Sequence, residues 1–461
     1  MINTQVASRE MFLADLVNQC SKLEAANSKS AAYGLQDLRD AATEYVLASS
    51  FPTVKDEEWR FTDLSPVLQI PFHIPQSNQS KVKLADIIMP VKNRDDLPLR
   101  LVFVNGFYAP DLSTVESSVL PDLPLAEPAP TGATPTKRID FYAGNLSNVP
   151  EKYQGRIADV LSKYRQQTEV FTALNMAGLA DSAVVFVPAN MSIDLPIHLL
   201  FLTAPGSSPT MSQPHCLVIA EPGSSITLIE DYATIGNVAA FTNAVTDVVV
   251  GENATVNHVR LQREGGEVVH IGKSAIEQSR NSRYTCHAIS LGGKISRHNL
   301  EVFQRGEATE TTLNGLTVAF GEQLSDTHSL IDFNHPHGTS RQLHKCIIGN
   351  KARAVFNGKV FVRKAAQLTD AGQLSRNLLL SPRARVDTKP QLEIVADNVK
   401  CSHGATVSQL EDDELFYLQS RGLDLERSRY LLIDAFAAEI LNQLPIVGVA
   451  KMLSTCVAIQ G

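Results

Sequence analysis

The sequence predicts a mainly β protein in which helical regions flank a long strand-rich block. From about Ala183 to Val407 it is a succession of short runs rich in Val, Ile, Thr and Leu, cut by Gly, Asn, Asp and Pro, as strands joined by tight turns are. Before Gly178 and after Val407 the apolar residues recur instead at helical spacing,. No helical stretch interrupts the β block, which leaves a double sandwich, a propeller or a β-solenoid open; no WD-like or hexapeptide repeat selects among them.

Between about Arg9 and Ser49, residues Phe12, Leu13, Leu16, Val17, Leu23, Leu35, Leu38, Tyr45 and Val46 mark two helices,. A loop with Pro52 and the run Lys55-Asp56-Glu57-Glu58 leads into Trp59-Arg60-Phe61, then into a polar connection from Gln76 to Lys81,. Residues 99–108, LRLVFVNGFY, alternate like a strand and break at Gly106, whereas 121–137 is rich in Pro, Ala and Thr and is expected to be a flexible loop or linker,. A helical stretch follows from about Glu151 to Ala177. After the β block, Ser408 and Glu411 have capping-box spacing and Gly422 ends that helix; a second helix spans about Asp424 to Leu444, with Leu425, Leu432, Phe436 and Ile440 near one stripe,. The domains expected are an N-terminal helical region with linker (1–178), a β core (179–407) and a C-terminal helical domain (408–461).

Composition excludes several functions. The 461 residues carry 41 Lys+Arg against 49 Asp+Glu, a net charge of -8, which disfavours a nucleic-acid partner. The six cysteines, Cys20, Cys216, Cys286, Cys346, Cys401 and Cys456, form no Cys-x-x-Cys pair, so a reducing compartment fits better than a disulfide framework. The N-terminus lacks a basic region followed by an apolar core, and Glu10 and Asp15 are unlike a transit peptide,. With no long apolar run, the expectation is a cytoplasmic protein without a membrane partner.

Few residues invite chemistry. In a strand, residues two apart share a face, so Cys401 and His403 would present a thiolate and an imidazole together, suited to iron, zinc or sulfur. Two ligands are too few for a closed site; the bland reading is a buried Cys beside a hydrogen-bonded His. His335-Pro336-His337, with Asp332 and His344 nearby, suggests metal less than a turn. Cys346 reads as a buried small hydrophobe, the neighbours Cys286-His287 and His215-Cys216 would face opposite sides of their strands, and Trp59 reads as a packing anchor. Nucleophile-elbow, Walker, dinucleotide and helical zinc-protease motifs are absent,.

The stretch DNVKCSHGATVSQLEDDELFYLQSRG (Asp397 to Gly422) resembles the C-terminal signature of the SufB/SufD family of iron-sulfur cluster assembly scaffolds. VFNGKVFV (Val355 to Val362), AAQLTDAGQLSRNLLLS (Ala365 to Ser381), KPQLEIVADNV (Lys389 to Val399) and AFAAEIL (Ala435 to Leu441) extend the resemblance, and EEWRFTDL (Glu57 to Leu64) looks like the SufD branch. The resemblance implies a right-handed parallel β-helix core between helical domains. It also implies a non-catalytic scaffold paired with a SufB-like subunit and carrying a SufC-like ATPase on helices at about Glu411 to Leu444. His403 falls on the family position proposed as an iron or cluster ligand at the SufB interface, with Cys401 two residues before it; the cluster would be transient, and none is expected on the isolated chain. Ser375 stands where SufB carries its essential cysteine. Two alternatives remain: a SufB-like scaffold binding a cluster alone, and a β-helix enzyme acting on polysaccharides. Homodimerisation in isolation and a flavin on the complex are left open.

Overall fold

A computed structural model describes residues 2–23, 33–76, 82–83, 99–114, 141–166 and 168–460. It opens on α1 (Ile2–Cys20) and α2 (Leu35–Ala48), where Leu13, Leu16, Val17, Leu38 and Val46 are all buried, as their spacing predicts. β1 (Leu99–Val104) and β2 (Phe107–Tyr108) form a hairpin. Its turn, Asn105-Gly106, has positive φ at both residues (53° and 88°), a conformation that asparagine and glycine adopt most readily. After β3 (Tyr142–Asn145) come α3 (Glu151–Leu161) and α4 (Val170–Ala177). The helical stretch expected over Glu151 to Ala177 is therefore interrupted, and Glu169 restarts it by accepting hydrogen bonds from the Phe171 and Thr172 amides,. The stretch 121–137 lies outside the described residues, as does most of the connection from Gln76 to Lys81.

From Ala183 the chain winds into a β-solenoid of about 8 turns. Its strands are β4 (Ala183–Val187), β5 (Ser192–Thr203), β6 (Thr210–Ser212), β7 (His215–Ala220), β8 (Ser225–Thr234), β9 (Ala240–Val250), β10 (Thr255–Gln262), β11 (Val268–Gln278), β12 (Arg283–Ser290), β13 (Ile295–Gln304), β14 (Glu310–Ala319), β15 (Leu324–Phe333), β16 (Thr339–Ile348), β17 (Arg353–Val362), β18 (Asp370–Leu379), β19 (Arg385–Ile394) and β20 (Lys400–Gln409). Apart from β6, which pairs with β9 in the same sheet as β7, they alternate between two sheets. One runs β2-β1-β5-β8-β10-β12-β14-β16-β18-β20, and the other β19-β17-β15-β13-β11-β9-β7-β4-β3. Stacked neighbours within the solenoid are parallel, which removes the sandwich and propeller alternatives, both built on antiparallel strands. β1, from the N-terminal region, adds a parallel strand beside β5.

Period-two alternation sorts each strand between lumen and outer face. Val256 in β10 joins the lumen core with Ile226, Leu228, Tyr284 and Cys286, while Val259 and Leu261 point outward under the C-terminal helices. Those helices are α5 (Asp412–Ser420), α6 (Leu425–Leu441) and α7 (Val447–Gln460). Ile433, Ala437, Ile440, Val449 and Leu453 bury against Val259, Leu261, Leu316 and Ile347. On the other sheet, Phe171 of α4, Leu13 and Leu16 of α1 and Trp59 cover Phe241, Val269, Ile271 and Ile295.

The C-terminal expectations change in three ways. Ser408 is still in β20, where its hydroxyl donates to the Asn377 carbonyl; Glu411 is the N-cap of α5 without a side-chain cap, so the capping box does not form. The apolar stripe of α6 is Ile433, Ala437, Ile440 and Leu441, with Leu425 48% exposed. Finally, α7 follows beyond the two helices expected. Gly422 does end the first helix, at φ 94°, and Asp424 caps α6 by accepting from the Arg427 amide. Among the described residues no helix is long and apolar enough to cross a membrane.

Candidate functional site

Among the described residues β20 is the last strand of its sheet and pairs with β18 alone. Cys401 aligns with Ala371 and His403 with Gln373, and both partners are buried lumen residues. Cys401 and His403 therefore share the lumen side of the final turn, as period two predicts. Their surroundings differ. Cys401 is half-buried against the lumen core, and burial raises its thiol pKa above the ordinary value, which disfavours the thiolate. His403 is exposed; among the described residues no side chain hydrogen-bonds its ring.

Ser375, one strand below, aligns with Ala405 of β20 and His344 of β16. It is fully buried and accepts hydrogen bonds from Asn377 Nδ2 (3.1 Å) and from Thr388 Oγ1 of β19 (3.1 Å), so its hydroxyl joins the two sheets across the lumen. Nearby, Gln373 receives no donor on Oε1 although its amide donates to Gln342 at 2.8 Å, and Asn377 Oδ1 is likewise buried without a donor. Two acceptors thus face the lumen close beneath β20.

Among the described residues nothing covers the final turn. Most of β19 and β20 is half-buried or exposed, with Ile394, Val395 and Val407 at 42%, 52% and 53%. Each strand is the terminal member of its sheet, so among the described residues one edge of its backbone donors and acceptors has no strand partner,. Among the described residues no group of three or more His, Cys, Asp and Glu could hold a metal ion. Cys401 and His403 need further ligands to form a closed site.

The other candidates resolve into packing. Asp332 binds Arg363 through both oxygens at 2.8 Å, His344 is buried and stacked on Phe356 at 4.4 Å, and His337 occupies a turn at φ 62°. The structure does not assemble these groups. Burial holds the thiols of Cys286 and Cys346 up at about 12 and that of Cys20 at about 11, and raises that of Cys216 well above its ordinary value; these are inert small hydrophobes.

Trp59 is a packing anchor, but of a specific kind. The Glu57–Leu64 segment lies across one outer face of the solenoid. Arg297 of β13 is 4.0 Å over the Trp59 ring and donates to the Glu58 carbonyl at 2.7 Å; Thr62 donates to Asp326 of β15 at 2.5 Å. His328 meets Glu58 at 3.0 Å, Arg353 of β17 lies over Phe61 at 5.3 Å, and Lys389 of β19 reaches Glu57 at 3.2 Å. One octapeptide thus straps four successive turns. Its sequence is visible as a motif, but nothing local to Arg297, Asp326 or His328 marks them as its partners.

On the C-terminal helices, Phe416 and Tyr417 are 72% and 58% exposed, with Tyr430 and Leu431 at 43% and 44%, next to the acidic first turn Asp412-Asp413-Glu414.

Two family models match this chain: the SUF system FeS cluster assembly SufBD core domain over residues 201–436, and the SufBD protein N-terminal region over residues 8–199. An iron-sulfur cluster assembly SufBD family protein of Synechocystis is 44% identical over 433 residues, 92% of this chain and 90% of the relative. A chloroplastic protein of Arabidopsis thaliana, ABCI7, is 34% identical over 96% of this chain and 90% of its own length. The iron-sulfur cluster assembly protein SufD of Escherichia coli is 31% identical over 89% of each.

Proposed function

The chain belongs to the SufBD family of SUF-system iron-sulfur cluster assembly proteins, and from that premise we propose that it is a non-catalytic scaffold subunit. It pairs with a SufB-like subunit through the uncovered end of the solenoid and carries a SufC-like ATPase on its C-terminal helices. The observation that carries this reading is the final turn: two unpaired strand edges, exposed Ile394, Val395 and Val407, and an unengaged imidazole at His403 occur together. An unpaired edge binds another strand through its main chain.

The cluster, or its iron, is cargo at this interface. His403 supplies an imidazole that is free to ligate, and the partner supplies the ligands this chain lacks. Cys401, half-buried, is the weaker donor. The inter-sheet hydroxyl of Ser375 is no substitute for a soft thiolate, which weighs against a scaffold that builds clusters alone. The expected result for His403→Ala is a complex that still assembles but matures iron-sulfur enzymes about tenfold more slowly; wild-type rates would remove the ligand role.

Docking of the ATPase is best tested without truncation. Cutting after Gln409 would also strip α6 and α7 from Val259, Leu261, Leu316 and Ile347, so loss of binding could reflect aggregation. Phe416→Asp combined with Leu431→Asp leaves that core intact. Copurification of the ATPase should be lost while stability changes by no more than about 0.5 kcal/mol; retained copurification would place the dock elsewhere.

A further inference from the structure

Apolar contact alone fixes neither the register nor the tilt of a helix on a sheet, because it is non-directional. The contact of α6 with the solenoid is apolar through Ile433, Ala437, Ile440 and Leu441, with polar ties at only a few places. The most buried of these is Lys345 of β16, whose side chain is 3% exposed. Its ammonium donates to Glu439 Oε2 at 2.5 Å and to the Phe436 carbonyl at 2.7 Å, and lies 4.1 Å over the Phe436 ring. All three partners belong to α6.

Glu439 is shared. Arg376 of β18 donates to the same carboxylate, at 3.0 Å to Oε2 and 3.3 Å to Oε1. Lys345, Arg376 and Thr406 are register partners on β16, β18 and β20. Asn377, next to Arg376, ties β18 to β20 again by donating to the Thr406 carbonyl at 2.9 Å. A continuous set of directional bonds therefore runs from α6 to the strand that bears His403.

Beside this joint a groove of about 540 Å³ is lined by Glu439 of α6, by His403 and by the register row Asn314, Leu343, Leu374 and Gly404 across the sheet. Gly404 keeps part of its floor low, since an added Cβ there would stand 3.3 Å from the Leu374 side chain. The groove gives α6 room to lean over β18 and β20 without displacing core side chains.

We propose that Glu439 is a positioning residue, the joint through which displacement of the C-terminal helices reaches the final turn of the solenoid and its His403. The proposal rests on the reading that an ATPase docks on these helices. A carboxylate held by a buried ammonium and a guanidinium fixes the helix in one register, so the helix and the last two strands of that sheet move together. Without it the helix remains docked by its apolar face but slides independently of β18.

The test is hydrogen exchange across residues 400–409 in the intact complex, with and without ATP. In the wild type, ATP should change exchange in β20 by about tenfold. In Glu439→Gln, which keeps the side chain's shape, the ATPase should still copurify and the ATP-dependent change should fall below about twofold. Lys345→Met combined with Glu439→Leu replaces the pair by apolar groups, and should behave the same way without stranding a buried ammonium. A purely structural role would alter exchange equally with and without ATP. A wild-type-sized response in either variant, or no response in the wild type, overturns the proposal; failure of the docking reading is seen separately, as an ATPase that does not copurify with the wild-type chain.

Discussion

Replacing Asp326 by alanine should destabilise the protein by about 3–5 kcal/mol, the largest effect expected of a single substitution outside the apolar core. Arg297 and Asp326 are each 1% exposed and meet at 2.5 Å. Burial alone would raise the Asp326 carboxyl, but Arg297, His328 and Thr62 outweigh it and hold the group below the ordinary carboxylate range. Removing the carboxylate leaves the guanidinium buried between Trp59 and His328 without its counter-charge, and takes away the acceptor of Thr62. Denaturant unfolding should show the loss as a lower midpoint, with early hydrogen exchange over residues 57–64 as the strap lifts. Arg297→Met with Asp326→Leu should recover most of it, because the cost lies in an unpaired buried charge. A loss under about 1 kcal/mol for Asp326→Ala would mean that Arg297 finds solvent or another anion.

Mild acid should unfold the chain through its histidines before the buried carboxylates Glu230 and Asp231 titrate. Burial pushes His215 and His287 down to about 4 and His344 to about 3, and lowers His198, His270 and His298 as well. Each is neutral when folded and takes a proton near pH ~6.5 when unfolded. Below that pH the unfolded state therefore binds more protons, so the stability is fully present above pH ~6.5 and is lost as pH falls toward the folded values. Three such groups give a slope of roughly 4 kcal/mol per pH unit between pH ~5.5 and ~4.5, enough to exhaust a typical folding free energy within a few units.

Glu230 and Asp231 act lower down. Burial raises both, but His258, Arg260 and Tyr232 on one, and Arg263 and His198 on the other, hold them at about 2. Their stabilisation is present above pH ~4.5 and disappears as pH drops toward those values. Urea unfolding at several pH values tests the order. His344→Gln should reduce the upper slope by about 1.4 kcal/mol per pH unit; a flat profile between pH ~6.5 and ~4.5 would show that these imidazoles are charged in the folded protein.

The strand-rich block was legible because Val, Ile and Thr runs end at turn residues, several of which, Asn253, Asn281 and Asn350, occupy positive φ. The solenoid was not legible from periodicity. Val256 stacks on Tyr284, Leu313 on Gln342 and Gln373 on His403, a repeat of roughly thirty residues. The lumen positions it aligns hold apolar, aromatic, amide and imidazole side chains in turn, so backbone pairing repeats while residue types do not. Resemblance supplied the architecture instead. At the candidate site, the shared face of Cys401 and His403 followed from strand geometry alone, whereas their unequal exposure depends on the solenoid ending at β20. The strap and the Lys345–Glu439 joint both link residues far apart in sequence, where spacing carries no signal.

The strap also constrains how the chain reaches its native state. Thr62 and Asp326 are 264 residues apart, and Glu57 and Lys389 are 332 apart. During synthesis at about 5–20 residues per second, the octapeptide leaves the ribosome on the order of tens of seconds before its last partner strand exists. Trp59 meets Phe171 early but must wait for Arg297, and closure of so long a loop is entropically unfavourable until the strands it crosses are already stacked. The N-terminal segment is therefore a late-closing clasp on a solenoid that winds first, and the nascent chain is most exposed to misassembly while β13 to β19 are still being made.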